Sequence, residues 1–217
     1  MRLSTGSVVV AACLALLSAR STAAANCTPA KMVRIVYANS APGIEPSSFA
    51  AQPKTLHRSG AKYGRIAERP DVARGIQGLM VVQEPDVWMV NLLAKAGQHI
   101  VDPGPTFFFR APLITGASPF FSGMEFGCEA SYMSSVGAAA PRQTTYEGRP
   151  ALSHEAANGN ERIALLVDAS TKHPLAVRFT TGTAEVVTVR YLEYRDDLPL
   201  ELGLFARPDG IAFPERK

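Results

Sequence analysis

Residues 149–168, RPALSHEAANGNERIALLVD, contain the strongest turn signal of this chain. A two-residue hairpin loop needs positive φ at its central positions, and Asn158-Gly159 is the pair that tolerates this best. The flanking segments, 149–156 and 161–167, have the length and the apolar content of strands. The sequence therefore predicts a β-hairpin here.

Further strands extend outward from this hairpin on the C-terminal side. Residues 168–174 form a second connection, and Thr181-Gly182-Thr183 leads by a third turn to a strand over 184–195. Short turns between successive strands are typical of an antiparallel sheet.

The N-terminal half also has a period of two, since Val33, Ile35 and Tyr37 alternate with other residues. Glu84-Pro85-Asp86 separates two apolar runs and predicts another hairpin. Residues 38–60 hold several prolines and glycines and are expected to form a long connection. The strands expected in this half cover residues 33–37, 62–68, 76–83, 87–93, 98–101 and 106–110.

Between the two sets of strands the period changes to three or four residues, carried by Phe121, Met124, Cys128, Tyr132 and Val136. This spacing predicts one amphipathic helix over 120–136, with Glu125 and Glu129 on another face. The expected fold is mainly β with a helical insertion (α+β). It is a curled antiparallel sheet, or half-open β-barrel, with a covering helix across its mouth.

Residues 1–25 have the features of a cleaved export signal. Arg2 precedes an apolar run over 8–17, and Ala23-Ala24-Ala25 provides the small residues before a cleavage site. The run is shorter than the roughly 20 residues that span a bilayer. We expect cleavage after Ala25, a single half-barrel domain over 26–217 with no transmembrane segment, and a periplasmic or secreted location. A lipoprotein cleavage box at Cys13 is the alternative.

Charge argues against a nucleic-acid partner. Without Arg2 and Arg20, the 22 basic residues become 20 against 19 acidic ones, and the formal charge falls from +3 to +1. The chain holds no run of lysine and arginine, whereas nucleic-acid binding needs a clustered basic surface.

Two cysteines, Cys27 and Cys128, remain after cleavage. In an oxidising compartment they are expected to form one disulfide that ties the N-terminus to the middle of the chain. Two separate thiols are the alternative.

Catalytic motifs are nearly absent from the sequence. Neither a phosphate-binding glycine loop nor a Gly-x-Ser-x-Gly elbow occurs, and no histidine has a second metal ligand at the usual spacing. No cofactor is predicted. The best local candidate is a general-base pair of His99 with Asp102; an exposed histidine at a strand end and an aspartate that caps a turn are the alternative. A secreted hydrolase would assemble its site from His99, Asp102, Glu125 and His154.

Aromatic residues concentrate in the centre of the chain. Three successive phenylalanines cannot all point to one side of a strand, so Phe108 is expected to face away from Phe107 and Phe109. They form either a well-filled core or the lining of an apolar ligand cavity. The ligand-binding residues predicted on the second view are Trp88, Phe107, Phe108, Phe109, Phe120, Phe121 and Met124.

The pattern as a whole resembles the LolA/LolB/RseB-like periplasmic proteins, which are half-barrels that carry lipoproteins or sense lipid-linked stress. The resemblance lies in the strand 162–168, the return strand through Pro174 and residues 175–177, and the closing strand 186–194. Glu84-Pro85 before Trp88 resembles an earlier strand of that group. No binding residue of the group can be placed on this sequence.

Three functions follow as hypotheses. The first is a non-enzymatic envelope carrier or sensor that binds a hydrophobic ligand or a lipoprotein segment inside the half-barrel. The second is the secreted hydrolase around His99, Asp102 and His154. The third is an envelope assembly factor that binds protein at a sheet edge.

Overall fold

The computed structural model describes residues 27–102, 104, 107–111 and 117–213. The predicted signal segment, its cleavage position and Cys13 lie outside these residues. One antiparallel sheet of eleven strands accounts for most of the fold. In chain order the strands are β1 (Met32–Ser40), β2 (Lys54–Ser59), β3 (Tyr63–Glu68), β4 (Gly78–Gln83), β5 (Asp86–Asn91), β6 (Ala96–Val101), β7 (Arg142–Tyr146), β8 (Arg149–Asn158), β9 (Glu161–Asp168), β10 (Pro174–Thr181) and β11 (Ala184–Leu198).

Two helices, α1 (Pro119–Ser122) and α2 (Glu129–Ser135), lie between β6 and β7, and short 3₁₀ turns occur at Phe49–Ala51 and Leu202–Phe205. The order of strands across the sheet is β6-β5-β4-β3-β2-β1-β11-β10-β9-β8-β7. Each half of the chain is thus a meander, and the first and last strands join the two halves. The sheet is open, with β6 and β7 at its edges. The expectation of a mainly β, antiparallel fold with a helical insertion is confirmed.

The predicted hairpins are confirmed as well. Asn158 and Glu161 face each other across the β8–β9 turn, where Gly159 has φ +61°. Gly182 has φ +62° in the β10–β11 turn, and β4 pairs with β5 across Glu84-Pro85. Glycine suits the two positive-φ positions because it has no Cβ.

The predicted long connection over 38–60 is wrong at both ends, because β1 continues to Ser40 and β2 occupies Lys54–Ser59 between β1 and β3. Only Leu56 is apolar in that strand, so its sequence lacks the alternation that reveals a strand. The strand β7 was not expected either, since four of its five residues are polar and exposed.

The single helix expected over 120–136 is also wrong, because the segment forms α1 and α2 with an extended stretch between them. There Ala111 N donates to Met124 O at 2.8 Å, and Phe126 N donates to Phe109 O at 2.8 Å. These bonds replace helical ones, and Gly127 turns the chain with φ +83°. In the strand expected over 106–110, the described residues 107–110 form only a bridge between Arg110 and Glu125.

Residues 107–111 and 117–136, here called the covering segment, pack on one face of the sheet, which we call the inner face. Phe109, Phe121 and Met133 belong to the same buried cluster as apolar side chains of β1, β2, β4, β5 and β8–β11. The outer face carries a smaller cluster around Trp88, which packs against Ile211 and Phe213 of the C-terminal tail. Within the described residues, no helix has the length and apolar character needed to cross a membrane.

Candidate functional site: a groove on the inner face

The covering segment does not protect the whole inner face of the first meander. Residues that pair directly across antiparallel strands point to the same face. One such row joins Ile35, Leu56, Ile66, Met80 and Met89 on β1 to β5. Leu56 is fully buried, whereas Met89 at the far end is 51% exposed.

This partly open row lies in a groove of about 460 Å³. The groove is lined by residues of β1 to β5, one residue of the first 3₁₀ turn and one residue of the covering segment: Tyr37, Asn39, Ala50, Lys54, Ile66, Glu68, Gly78, Leu79, Met80, Met89, Val90 and Phe126. Phe126 packs on Tyr37 with ring centroids 4.5 Å apart. The covering segment therefore supplies one wall of the groove.

Polar groups gather at one end of the groove. Lys54 Nζ lies 3.9 Å from Glu68 Oε1 and donates to the carbonyl of Ala50 at 3.1 Å. Burial lowers the pKa of Lys54, and Glu68 opposes that effect. Asn39 Oδ1 is buried without a hydrogen-bond partner among the described residues. The groove thus has an apolar floor and a polar end, the arrangement that suits an amphiphilic molecule.

A buried arginine on β2 fastens the covering segment to the sheet. Arg58 is 1% exposed, and its guanidinium donates to Phe126 O at 2.8 Å and to Cys27 O at 3.0 Å. It also lies 3.0 Å from Glu125 Oε2. Five N–H donors in a fixed plane allow this one side chain on β2 to bind both Cys27 and the Glu125–Phe126 stretch of the covering segment.

The disulfide lies beside this arginine. Cys27 and Cys128 are bonded in the structure, as the sequence predicts. The bond ties the start of the described chain to the residue before α2. Arg58 and the disulfide therefore hold the same junction between the covering segment and the sheet.

Glu129 is a second buried ionisable residue, at 1% exposure, although the spacing in the sequence placed it on another face of the predicted helix than the apolar one. One of its oxygens, Oε1, accepts hydrogen bonds from Tyr191 Oη at 2.7 Å and from Gly127 N at 3.0 Å. Burial raises the pKa of Glu129, and the hydrogen bonds and Arg58 only partly offset that effect.

A raised folded-state pKa makes this carboxyl group stabilising at low pH and costly at higher pH. The folded state holds the proton above pH 4.5, where the unfolded chain releases it, so stability is lost as pH rises through the folded pKa. We expect Glu129→Gln to gain stability relative to the wild type as pH rises above 4.5, by up to about 1.4 kcal/mol per pH unit.

Urea unfolding at a series of pH values measures this difference. The amide oxygen of glutamine keeps both acceptor bonds, because both are made to one oxygen. Glu201→Gln, at an exposed position, is the control and should show no such trend. A constant difference between Glu129→Gln and the wild type at all pH values would contradict the prediction.

The seven predicted ligand-binding residues fall into three places, and none lines the groove. Phe109, Phe120, Phe121 and Met124 are each at most 9% exposed in the inner-face core, and Phe107 packs against that core. Trp88 lies on the outer face. Phe108 is 46% exposed, pointing away from its neighbours as expected, and lines a depression of about 190 Å³. A ligand contact by these residues stays a prediction.

Sequence reasoning missed Met80, Met89 and Ile66, which form the groove floor. Met80 and Met89 lie in strands that are apolar on both faces, and Ile66 has no large apolar residue two positions away in β3, so alternation could not assign these residues to one side. Phe126 belongs to the aromatic-rich centre of the chain, but the ligand-binding residues predicted there were other phenylalanines and not Phe126.

The structure does not assemble the hydrolase site. His99 Nε2 lies 2.7 Å from Asp86 Oδ1, not beside Asp102, which instead accepts from Gly104 N at 2.9 Å. His99 is on the edge strand β6, and His154 is on β8 near the opposite edge. Glu125 pairs with Arg58. The described residues also hold no cluster of three or more potential metal ligands.

The two sheet edges differ. The tail covers part of β6, since Gly97 N donates to Ala212 O at 3.2 Å and Ala212 N donates to Lys95 O at 3.1 Å. Strand β7 pairs only with β8 among the described strands. Protein binding at a sheet edge stays a prediction, with β7 as the place to test it.

Comparison with known proteins gives a structural likeness without a family. No family model and no curated protein matches the chain. An uncharacterized conserved protein from Thermus thermophilus superposes with a TM-score of 0.49 at 10% identity, over 86% of this chain and 91% of that chain.

Two other solved structures are similar to a lesser degree. MucB in the MucA/MucB complex of Pseudomonas aeruginosa has a TM-score of 0.44 at 9% identity, over 84% of this chain and 58% of that chain. A putative outer membrane lipoprotein-sorting protein domain from Vibrio parahaemolyticus has a TM-score of 0.36 at 12% identity, over 81% of this chain and 89% of that chain. These low values place the chain in no family and transfer no ligand or partner to it.

Proposed function

We propose that this chain is an exported, non-enzymatic protein of the cell envelope that binds a hydrophobic ligand in the groove of its inner face. The ligand is a lipid, an acyl chain or the lipid-modified segment of a lipoprotein, and the protein acts as its carrier or sensor. The export pattern of residues 1–25 supports the location. The observation that carries the proposal is the uncovered apolar part of an inner face that is otherwise buried.

Groove size and chemistry support this function. A volume of about 460 Å³ falls in the range of roughly 300–1,000 Å³ that is usual for small-molecule sites. Methionine side chains such as those of Met80 and Met89 adapt to flexible apolar guests because they are unbranched. Lys54, Glu68 and Asn39 offer polar contacts for a headgroup at one end.

A half-open barrel fits the packing of the core. Val87 on β5 and Ala156 on β8 belong to one buried cluster, although eight strand positions separate them in the sheet. On a flat sheet they would lie about 38 Å apart, at roughly 4.8 Å per strand. Twist and coiling of the sheet bring such strands around a single covering segment.

In this proposal the covering segment has two tasks. Phe109, Phe121 and Met124 hold it on the sheet, and Phe126 from the same segment contacts the ligand. The groove remains accessible because the covering segment reaches only as far as the contact of Phe126 with Tyr37 and leaves the inner face beyond that contact uncovered.

A charged residue in the groove should weaken ligand binding without unfolding the protein. We expect Met89→Asp to reduce the affinity for a fluorescent fatty acid about tenfold or more, since a carboxylate next to an acyl chain must lose its hydration. Fluorescence titration measures the affinity. Leu192→Asp is the matched control, because Leu192 is 50% exposed on β11 and lies outside the groove. Equal affinity in both variants, or no binding by the wild type, would contradict the proposal.

A further inference from the structure

Three arginines surround a depression of about 310 Å³ on the outer face of the second meander, on the other side of the sheet from the groove. They are Arg142 on β7, Arg162 on β9 and Arg178 on β10. Ala157 and Ala164, with side chains of one carbon, also line the depression. The small residues leave room between the long arginine side chains.

Sheet register explains why the three arginines lie on the same face of the sheet. Arg178 pairs with Ala164, which pairs in turn with Glu155, and Arg162 pairs with Ala157. Residues paired in this way share a face. Arg142 pairs with Ser153 one pleat further along β8, two residues before Glu155. The positions are therefore fixed by strands and not by loops.

The three guanidinium groups have no carboxylate within ion-pair distance among the described residues. Arg190 on the next strand differs, since its Nη2 lies 3.0 Å from Glu147 Oε1. Glu155 is the one carboxylate in the depression, and its Oε1 accepts from Ser153 Oγ at 3.3 Å. Three arginines and one glutamate leave a formal charge of +2 in one small concavity.

The geometry points to a binding site for a phosphate group on the outer face, formed by Arg142, Arg162 and Arg178. Guanidinium groups bind phosphate oxygens through paired hydrogen bonds, and this is the strong form of charge-assisted contact. A phosphate monoester carries a charge of about −1.5 to −2 at pH 7, which matches the +2 of the site. This site is independent of the hydrophobic groove.

The arginines are already held in place in part. The Arg178 guanidinium lies over the ring of Tyr146, 5.9 Å from its centroid. Such a contact orients the cation and leaves the N–H groups free to reach a ligand. Less side-chain entropy is then lost on binding.

The test uses the full chain and two probes. Inorganic phosphate is titrated calorimetrically, and sedimentation measures binding to vesicles of phosphatidylcholine with and without phosphatidylglycerol. We expect the wild type to bind at least one phosphate probe, and Arg162→Gln combined with Arg178→Gln to weaken that binding about tenfold or more. Arg190→Gln is the control, because it removes an arginine on the same face that is already paired with Glu147. This variant should change the phosphate affinity by less than about twofold.

A second variant separates the site from general attraction to positive charge. Glu155→Gln removes the one opposing carboxylate and should strengthen phosphate binding, which damage to the fold would not do. Binding of inorganic phosphate alone assigns the site to a soluble phosphate compound, and binding of anionic vesicles alone assigns it to lipid headgroups. Absence of binding to both probes, or equal losses in Arg190→Gln and the Arg162 and Arg178 variant, would overturn the proposal.

Discussion

Replacing Arg58 with methionine should lower the free energy of unfolding by about 3–5 kcal/mol, the usual cost of removing one partner from a buried ion pair. Methionine fills a similar volume, so the loss reports the polar contacts and not a cavity. The carbonyl oxygens of Phe126 and Cys27 would lose their donor, and Glu125 would lose its cation. Each such buried group without a partner costs about 1–3 kcal/mol.

Urea denaturation followed by circular dichroism measures the effect. Arg65→Met is the control, because Arg65 is partly exposed on the neighbouring strand and has no ion pair among the described residues. Its loss should stay below about 1 kcal/mol. Arg58→Lys should show most of the loss in the free energy of unfolding that Arg58→Met shows, since an ammonium group cannot reach the same acceptors in one plane. An Arg58→Met variant as stable as the Arg65→Met control would show that the junction does not depend on this side chain.

Strands with apolar alternation and clear turn residues at their ends were predictable from the sequence. Strand β2 lacks that alternation and was not predicted. Turns at Glu84-Pro85, Asn158-Gly159 and Gly182 have strong local preferences, so both meanders follow from short-range chemistry. Strand β2 pairs with β1 and β3, and its buried Arg58 finds acceptors at Phe126 and Cys27, which are 68 and 31 positions away in the sequence. No local rule places a buried arginine in a strand, since the compensation comes from tertiary contacts.

The prediction of one helix in the covering segment was wrong for a similar reason, because distant contacts decide its structure. Its apolar spacing was real, and Phe121, Met124 and Tyr132 are buried as the pattern implies. However, the backbone between α1 and α2 pairs with residues 109–111, a contact that spacing within the segment does not reveal. Glu129 was expected on the polar face of the helix, but it is buried because Tyr191 on β11 supplies a hydroxyl donor.

The groove was not predictable residue by residue. An excess of phenylalanine indicated an apolar interior but could not separate packed from open positions. The open positions arise where the covering segment stops, and that boundary depends on how Phe109 and Phe126 pack on the sheet. One of the contacts that hold Phe109 on the sheet is made above a glycine.

Gly64 on β3 is that glycine. A Cβ added there would lie 1.8 Å from Cζ of Phe109, so the ring occupies the space of the missing side chain. Alanine at this position should displace the ring and lower the free energy of unfolding by about 3 kcal/mol, at the upper end of the usual cost of overpacking. Gly203→Ala, where an added Cβ meets nothing within 4 Å, is the control and should change stability by less than about 0.5 kcal/mol.

A double-mutant cycle identifies the cause of the loss. Phe109→Ala alone should cost about 3–5 kcal/mol, because the ring is 2% exposed in the core. In that background the space above Gly64 is empty, so Gly64→Ala should cost little more, and the two effects should fall well short of additivity. If they add in full, the alanine destabilises the strand by itself, and the close approach of Phe109 to β3 is not what holds the covering segment in position. A shortfall from additivity would instead show that the two residues are coupled through this contact, which holds Phe109 on β3 next to the Phe126 N–H that donates to Phe109 O.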